Sequence, residues 1–238
     1  RICAELAAAR AGGLSPSAVE YTGGFPLTHS IPLSSRIRSS AGQWSALNEA
    51  VFAVGPVAET LRIAELMYHP DDPNDEFIEL VNVGAESVNL NRVRFTKGVN
   101  FSFGPEELAP GERILVVSNQ ASFLQRYPSF AGRIAGSYEG KLDNAGETIR
   151  LRDALHTIIH EFTYKDGWYP ITDGEDFSLT IRDASAGDRG LWNSKDGWRP
   201  SAVAGGSPGF DDAGLVPDPG SVVINELLAH SHGSESDW

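Results

Sequence analysis

Cysteine, methionine and long apolar runs are scarce in this sequence of 238 residues, which has one cysteine, Cys3, and one methionine. A single cysteine excludes a disulfide within the chain and any zinc site built on several thiolates. No stretch approaches the roughly 18 consecutive apolar residues that a membrane-spanning helix needs, so no membrane span is expected. The first residues lack the layout of a signal peptide. For an exported protein, the signal is therefore expected upstream of Arg1.

Basic residues are also in short supply. The chain has 19 Lys and Arg against 32 Asp and Glu, which gives a net charge of −13. Binding a nucleic-acid backbone requires a basic face that neutralises phosphates, so nucleic acid is not expected as a partner. The acidic balance is typical of a protein that must stay soluble, and it is compatible with binding of a cation.

What the sequence does contain is many short segments divided by turns, with 25 Gly and 14 Pro. Strands are expected at 61–68, 77–82, 88–95, 101–103, 113–118, 148–152, 156–164 and 178–182. Residues 1–11 are rich in alanine and predict a short helix or the remnant of an interrupted domain. About nine strands with almost no helix predict an all-β sandwich of two sheets, preceded by a small partial β domain.

The last residues of the chain repeat an earlier segment. Residues 223–238 align with residues 62–77 without a gap, so that Ile224 matches Ile63 and Glu226 matches Glu65. The offset, 224 − 63 = 161 residues, is a domain length rather than the period of a solenoid. The chain therefore holds one whole module and the opening strand of a second.

Five parts are expected along the chain. A partial β domain covers 1–55 and a linker 56–60. The main module covers 61–210, a second linker covers 211–221, and 222–238 begins the next copy.

The first part carries the motif Ser-Pro-Ser-Ala-Val-Glu-Tyr-Thr-Gly at 15–23 and the strand Ser-Arg-Ile-Arg at 35–38. These motifs resemble the C-terminal half of the small β-sandwich domain appended to chitobiases and β-hexosaminidases. The earlier hairpin of that family has no counterpart here, so the resemblance implies a truncated domain.

The main module carries several motifs in order: Ile-Ala-Glu-Leu-Met-Tyr-His-Pro at 63–70, Glu-Phe-Ile-Glu-Leu-Val-Asn at 76–82, Leu-Ala-Pro-Gly at 108–111, Leu-Asp-Asn-Ala-Gly-Glu-Thr-Ile-Arg-Leu at 142–151 and Trp-Tyr-Pro at 168–170. Together they resemble the bacterial type of lamin tail domain, an immunoglobulin-like β-sandwich. The resemblance implies a large exported or cell-surface bacterial protein with tandem copies. In that family the copies stand beside a spore-coat-H-like (CotH) kinase domain or hydrolase domains.

Two motifs suggest catalysis on first inspection. Residues 205–209 spell G-x-S-x-G, but a nucleophile elbow needs a backbone N–H after the serine, and Pro208 has none. His156 and His160 lie four residues apart, yet the β-branched residues between them favour a strand. At that spacing, both imidazoles are expected on the polar outer face of the sheet. No catalytic residue is therefore assigned, and no cofactor other than a possible calcium ion is expected.

The acidic loop before the second strand offers the candidate calcium ligands Asp71, Asp72, Asp75 and Glu76, because calcium takes six to eight oxygens in flexible geometry. A solvated loop is the alternative. Trp192 and Trp198 flank a polar loop and are the candidates for stacking on a sugar, with core packing as the alternative. Glu65 and Glu79 are expected to hold backbone or arginine groups near the sandwich edge.

These observations predict a non-catalytic structural or interaction module. Its partners would be the other modules of the same polypeptide, together with a surface protein or a glycan. The alternative is an accessory carbohydrate-binding region attached to a catalytic domain outside this chain.

Overall fold

The computed structural model describes residues 2–5, 18–55, 57–212 and 214, and for residues 2–5 the backbone alone. These residues form two short α-helices, α1 (Val57–Thr60) and α2 (Gln120–Arg126). The strands are β1 (Ile2–Glu5), β2 (Val19–Tyr21), β3 (Ile31–Ile37), β4 (Asn48–Phe52), β5 (Leu61–Met67), β6 (Phe77–Asn82), β7 (Val88–Asn89), β8 (Arg94–Lys97), β9 (Phe101–Ser102), β10 (Glu107–Leu108), β11 (Arg113–Val117), β12 (Arg133–Ser137), β13 (Thr148–Arg152), β14 (Ile158–Thr163), β15 (Leu179–Ile181) and β16 (Trp198–Pro200). Five 3₁₀ helices lie at Pro73–Asp75, Asp166–Trp168, Pro170–Thr172, Arg189–Asn193 and Lys195–Gly197. Within the described part of the chain, no helix is long and apolar enough to cross a membrane.

The first sheet has the strand order β2-β1-β3-β4 and is antiparallel. The helix predicted for residues 1–11 is wrong where it can be compared, because Ile2–Glu5 forms strand β1. This strand pairs with β2 on one side and β3 on the other, and pairing on both sides overrides the local preference of an alanine-rich segment. Residues 6–11 lie outside the described part.

Two larger sheets form the main module. One has the order β12-β11-β6-β5-β15-β16 and the other β14-β13-β8-β9, with a small β10-β7 pair beside them. The single strand predicted for 88–95 is wrong: β7 and β8 belong to different sheets. A turn separates them, in which Val93 N–H donates to Leu90 C=O at 2.8 Å and Arg92 has φ 67°.

The core lies between these two sheets. Ile63, Leu66 and Ile78 from the first sheet pack in one cluster with Phe95 and Leu151 from the second. Every residue of β5 and β6 is buried, so the six-stranded sheet is covered on its outer face as well. A second apolar cluster, centred on Phe77, Leu115 and Phe123, lies on that outer face under α2.

Part of the predicted linker 56–60 forms helix α1, whose Val57 packs into the core. The repeat expected at 222–238 lies outside the described residues, and the five domain boundaries remain predictions.

Candidate functional site

Two glutamates stand side by side on the outer face of the six-stranded sheet. Glu65 of β5 lies opposite Glu79 of β6, after an irregularity in the strand pairing between Ile63 and Glu65. The exposed fractions of the two residues are 1% and 0%. Like charges directly opposite each other on neighbouring strands repel, and burial penalises each of them. The fold must therefore supply compensating groups.

Residues 205–212, here called the C-terminal strap, supply most of these groups. Ser207 donates its backbone N–H to Glu65 Oε1 at 2.8 Å and its hydroxyl to Oε2 at 3.0 Å. Gly209 N–H donates to Glu79 Oε2 at 2.5 Å. From the residue just before β15, Ser178 Oγ donates to Glu65 Oε1 at 2.5 Å. The G-x-S-x-G run is therefore a turn that binds carboxylates.

Ion pairs fix the strap at its far end. Arg113 bridges Glu79 and Asp211, and Arg199 pairs with Asp212. Ala202 N–H donates to the other oxygen of Asp212 at 2.9 Å. At the near end, the Tyr127 hydroxyl donates to the Gly205 carbonyl at 2.6 Å. The strap is thus tied to β5, β6, β11, β16 and the end of α2.

Burial dominates the electrostatics of the paired carboxylates. It raises the pKa of Glu79 to about 8, with the neighbouring Glu65 adding to the rise and Arg113 opposing it. Burial also raises the pKa of Glu65, against the hydrogen bonds from Ser178 and Ser207. Glu65 holds a backbone group, and Glu79 holds a backbone group and an arginine. Both lie on the two central strands of the six-stranded sheet, however, and not near the sandwich edge as expected.

The Ser207 hydroxyl donates to Glu65, a buried carboxylate that also accepts from Ser178 Oγ and the Ser207 N–H. His156 and His160 differ in burial. The prediction that both lie on the polar outer face of the sheet is therefore wrong. His160 is buried, with its ring 4.8 Å from that of Trp192, and burial lowers its pKa to about 3, helped by Arg62 and Arg189. His156 lies in the turn before β14, exposed and with φ 68°.

The structure does not bring the four candidate calcium ligands together. Asp71 is exposed, whereas Asp72 caps the 3₁₀ helix at Pro73–Asp75 by accepting from Asn74 N–H at 2.9 Å.

The other two carboxylates are buried and already bonded within the protein. Asp75 accepts from Ser122 Oγ at 2.7 Å, and Glu76 accepts from the Tyr138 hydroxyl at 2.7 Å and from Leu142 N–H at 2.9 Å. Among the described residues, no group of three or more His, Cys, Asp or Glu is placed to hold a metal ion.

The two candidate sugar-stacking residues are core residues. Trp192 and Trp198 have exposed fractions of 0%. Trp192 Nε1–H donates to the Ile63 carbonyl and Trp198 Nε1–H to the Trp192 carbonyl, each at 2.9 Å. Neither indole offers a face to a sugar, so core packing, the alternative left open by the sequence, describes both residues.

Sequence reasoning missed Ser178, Arg113, Arg199 and Asp212, which complete the strap contacts. These residues lie from 34 to 147 positions away from Glu65 and Glu79, so no local spacing signals the arrangement. The available signal was the presence of glutamates inside otherwise apolar strands, because a buried carboxylate requires partners.

Comparison with known proteins supports the main module. Residues 56–166 match the family model described as Lamin Tail Domain. No curated protein matches the chain. A solved structure of a DUF4876 family protein from Bacteroides thetaiotaomicron is similar at 13% identity and a TM-score of 0.32. That match covers 63% of this chain and 61% of the other. The family match and the packed sheets make the fold of this chain all-β and immunoglobulin-like, as in a lamin tail domain.

Proposed function

We propose that this chain serves as a non-catalytic structural module of a large exported bacterial protein. The observation that carries the proposal is the hydrogen bond from the Ser207 hydroxyl to Glu65. The side chain that the sequence offers as a nucleophile donates to a buried carboxylate and helps to close the fold. The Glu65 carboxylate that accepts from this hydroxyl is buried and also accepts from Ser178 Oγ and the Ser207 N–H, so the contact holds the strap on the sheet and does not face a substrate.

The test of the non-catalytic role is an activity screen of the purified chain. We expect no hydrolysis of chromogenic esters, phosphates or glycosides above the rate in buffer. The control is Ser207→Ala. An activity of the wild-type chain that this substitution abolishes would overturn the proposal.

The modular setting is supported by the sequence repeat at 223–238 and by the lamin tail match at 56–166. The chitobiase-type start and the kinase or hydrolase neighbours follow from resemblance alone. Sequencing the gene outward from both ends tests the setting. We expect a signal peptide upstream and further β modules downstream; a single cytosolic reading frame without either would contradict the proposal.

The alternative of a carbohydrate-binding accessory region has lost its two candidate residues, because Trp192 and Trp198 are buried. Glycan pull-down with the wild-type chain separates the two functions. Retention on a glycan matrix would favour the accessory role over the purely structural one.

A further inference from the structure

The outer face of the four-stranded sheet concentrates positive charge. Arg94 and Lys97 of β8 and Arg150 and Arg152 of β13 lie there, with Arg92 in the turn just before β8. These five residues, here called the basic face, belong to a chain of net charge −13 that has only 19 Lys and Arg. A cluster of five basic residues on one face therefore stands out in a chain that is acidic as a whole.

The strand register sets like charges against each other on this face. Arg152 lies directly opposite Arg94, and Arg150 lies directly opposite Lys97. An irregularity in the pairing leaves Thr96 as an extra residue between these pairs. It places Lys97 on the same side as Arg150, where both meet Glu161. Like charges directly opposite each other destabilise a sheet, so the basic face costs folding stability.

The fold compensates only one of the two pairs. Glu161 bonds to Arg150 and lies 3.6 Å from Lys97 Nζ. Within the described part of the chain, Arg92, Arg94 and Arg152 form no ion pair with a carboxylate, and Arg94 Nη2 lies 2.6 Å from His156 Nδ1. The Nε atoms of Arg94 and Arg152 are buried without a hydrogen-bond acceptor. Unmet donors of this kind are costly, so these arginines add to the cost of the basic face.

A cavity of about 180 Å³ lies beside the basic face. Its lining combines Arg92, Arg94 and the Ser102 hydroxyl with apolar Phe103 and Ala154. Two guanidinium groups beside an apolar wall suit a carboxylate on a short aliphatic stem. Asp and Glu side chains have this form.

We propose that the basic face binds an acidic polypeptide segment, with its carboxylates on Arg92, Arg94 and Arg152. A long polyanion such as nucleic acid or a sulfated glycan would extend past the face and meet the repulsion of the acidic remainder. A short acidic segment meets the basic face alone. This binding surface goes beyond the proposed structural role and does not depend on it.

The test measures binding of a fluorescein-labelled deca-glutamate peptide to the full chain by anisotropy at low salt. The wild-type chain binds, and the double variant Arg94→Gln/Arg152→Gln binds at least about tenfold more weakly. The matched control is Arg133→Gln/Lys141→Gln, which also lowers the net charge from −13 to −15, since each variant loses two cations. We expect the control to bind like the wild-type chain.

Thermal unfolding gives a second readout that a merely structural role would not produce. Because the double variant removes a like-charge pair, we expect it to be as stable as the wild-type chain or more stable. The proposal is overturned if the wild-type chain does not bind the peptide, if the control loses binding equally, or if the double variant is destabilised. Tighter binding of a heparin fragment or a short DNA duplex would also overturn it.

Discussion

Glu65 accepts three hydrogen bonds at once, from Ser178 Oγ, Ser207 N–H and Ser207 Oγ. At the residue scale, Glu65→Ala leaves these three donors without an acceptor in a buried place. Each unsatisfied buried donor costs about 1–3 kcal/mol, so we expect the free energy of unfolding, measured in urea titrations, to fall by at least about 3 kcal/mol.

The control for that substitution is Glu86→Ala, at an exposed position. Surface substitutions of this kind change stability by about 0.5 kcal/mol or less. Equal losses in the two variants would show that the buried contacts of Glu65 contribute nothing particular.

The paired carboxylates also predict how stability varies with pH. Burial, reinforced by Glu65, raises the pKa of Glu79 from 4.5 to about 8, so the folded state holds this proton more tightly than the unfolded state. The resulting stability is complete below pH 4.5 and is lost as the pH rises to about 8. We expect the free energy of unfolding of the wild-type chain to fall across this window.

Glu79→Gln is the comparison for the pH experiment, because it cannot titrate. We expect a flatter pH dependence in the variant between pH 5 and pH 8, measured by urea unfolding. The arginines Arg113 and Arg199 and the aspartates Asp211 and Asp212 surround the pair in both proteins, so their effects cancel in the difference. If the free energy of unfolding depends on pH equally in the two proteins, Glu79 is not the group that holds this proton.

At the scale of elements, the strap needs glycine where it approaches the sheet. Gly206 has φ +74°, and a Cβ there would meet Glu65 Oε1 and lie 3.0 Å from Ser178 Oγ. Gly111 has the same φ of +74° with nothing within 4 Å of its added Cβ. Gly206→Ala therefore adds a clash to the backbone strain, whereas Gly111→Ala carries the strain alone.

We expect Gly111→Ala to cost about 1 kcal/mol of unfolding free energy and Gly206→Ala clearly more. Thermal and urea unfolding of the two variants measure the difference. Equal costs would mean that the strap does not sit against Glu65 in solution.

The strands that sequence predicts well are those with strong apolar content. Phe77–Asn82 agrees with the predicted strand at both ends, because four of its six residues are apolar and turns flank it on both sides. Arg133–Ser137 and Trp198–Pro200 were not predicted as strands. The first contains glycine and the second proline, and their strand form depends on distant partners, β11 and β15. The residues of these two segments alone do not indicate which strands they pair with.

At the scale of the whole molecule, motif order predicted the fold class, and the family match over 56–166 confirms the lamin tail resemblance there. The candidate site was predicted only in part. Glu65 was singled out because it recurs as Glu226, but its partner Ser207 lies 142 residues away. For the tryptophans the sequence left sugar stacking and core packing both open, because flanking polar residues do not reveal that the indoles point into the core.

Amide hydrogen exchange at Ser207 and Gly209, followed residue by residue by NMR, tests most directly whether the strap is closed on Glu65 and Glu79. If the strap is closed on the paired carboxylates, both amides exchange slowly, at rates comparable to those of β5 and β6, and Glu65→Ala speeds the exchange of Ser207. If both amides exchange as fast as the exposed amide of Gly187, the strap is open in solution and does not close on Glu65 and Glu79.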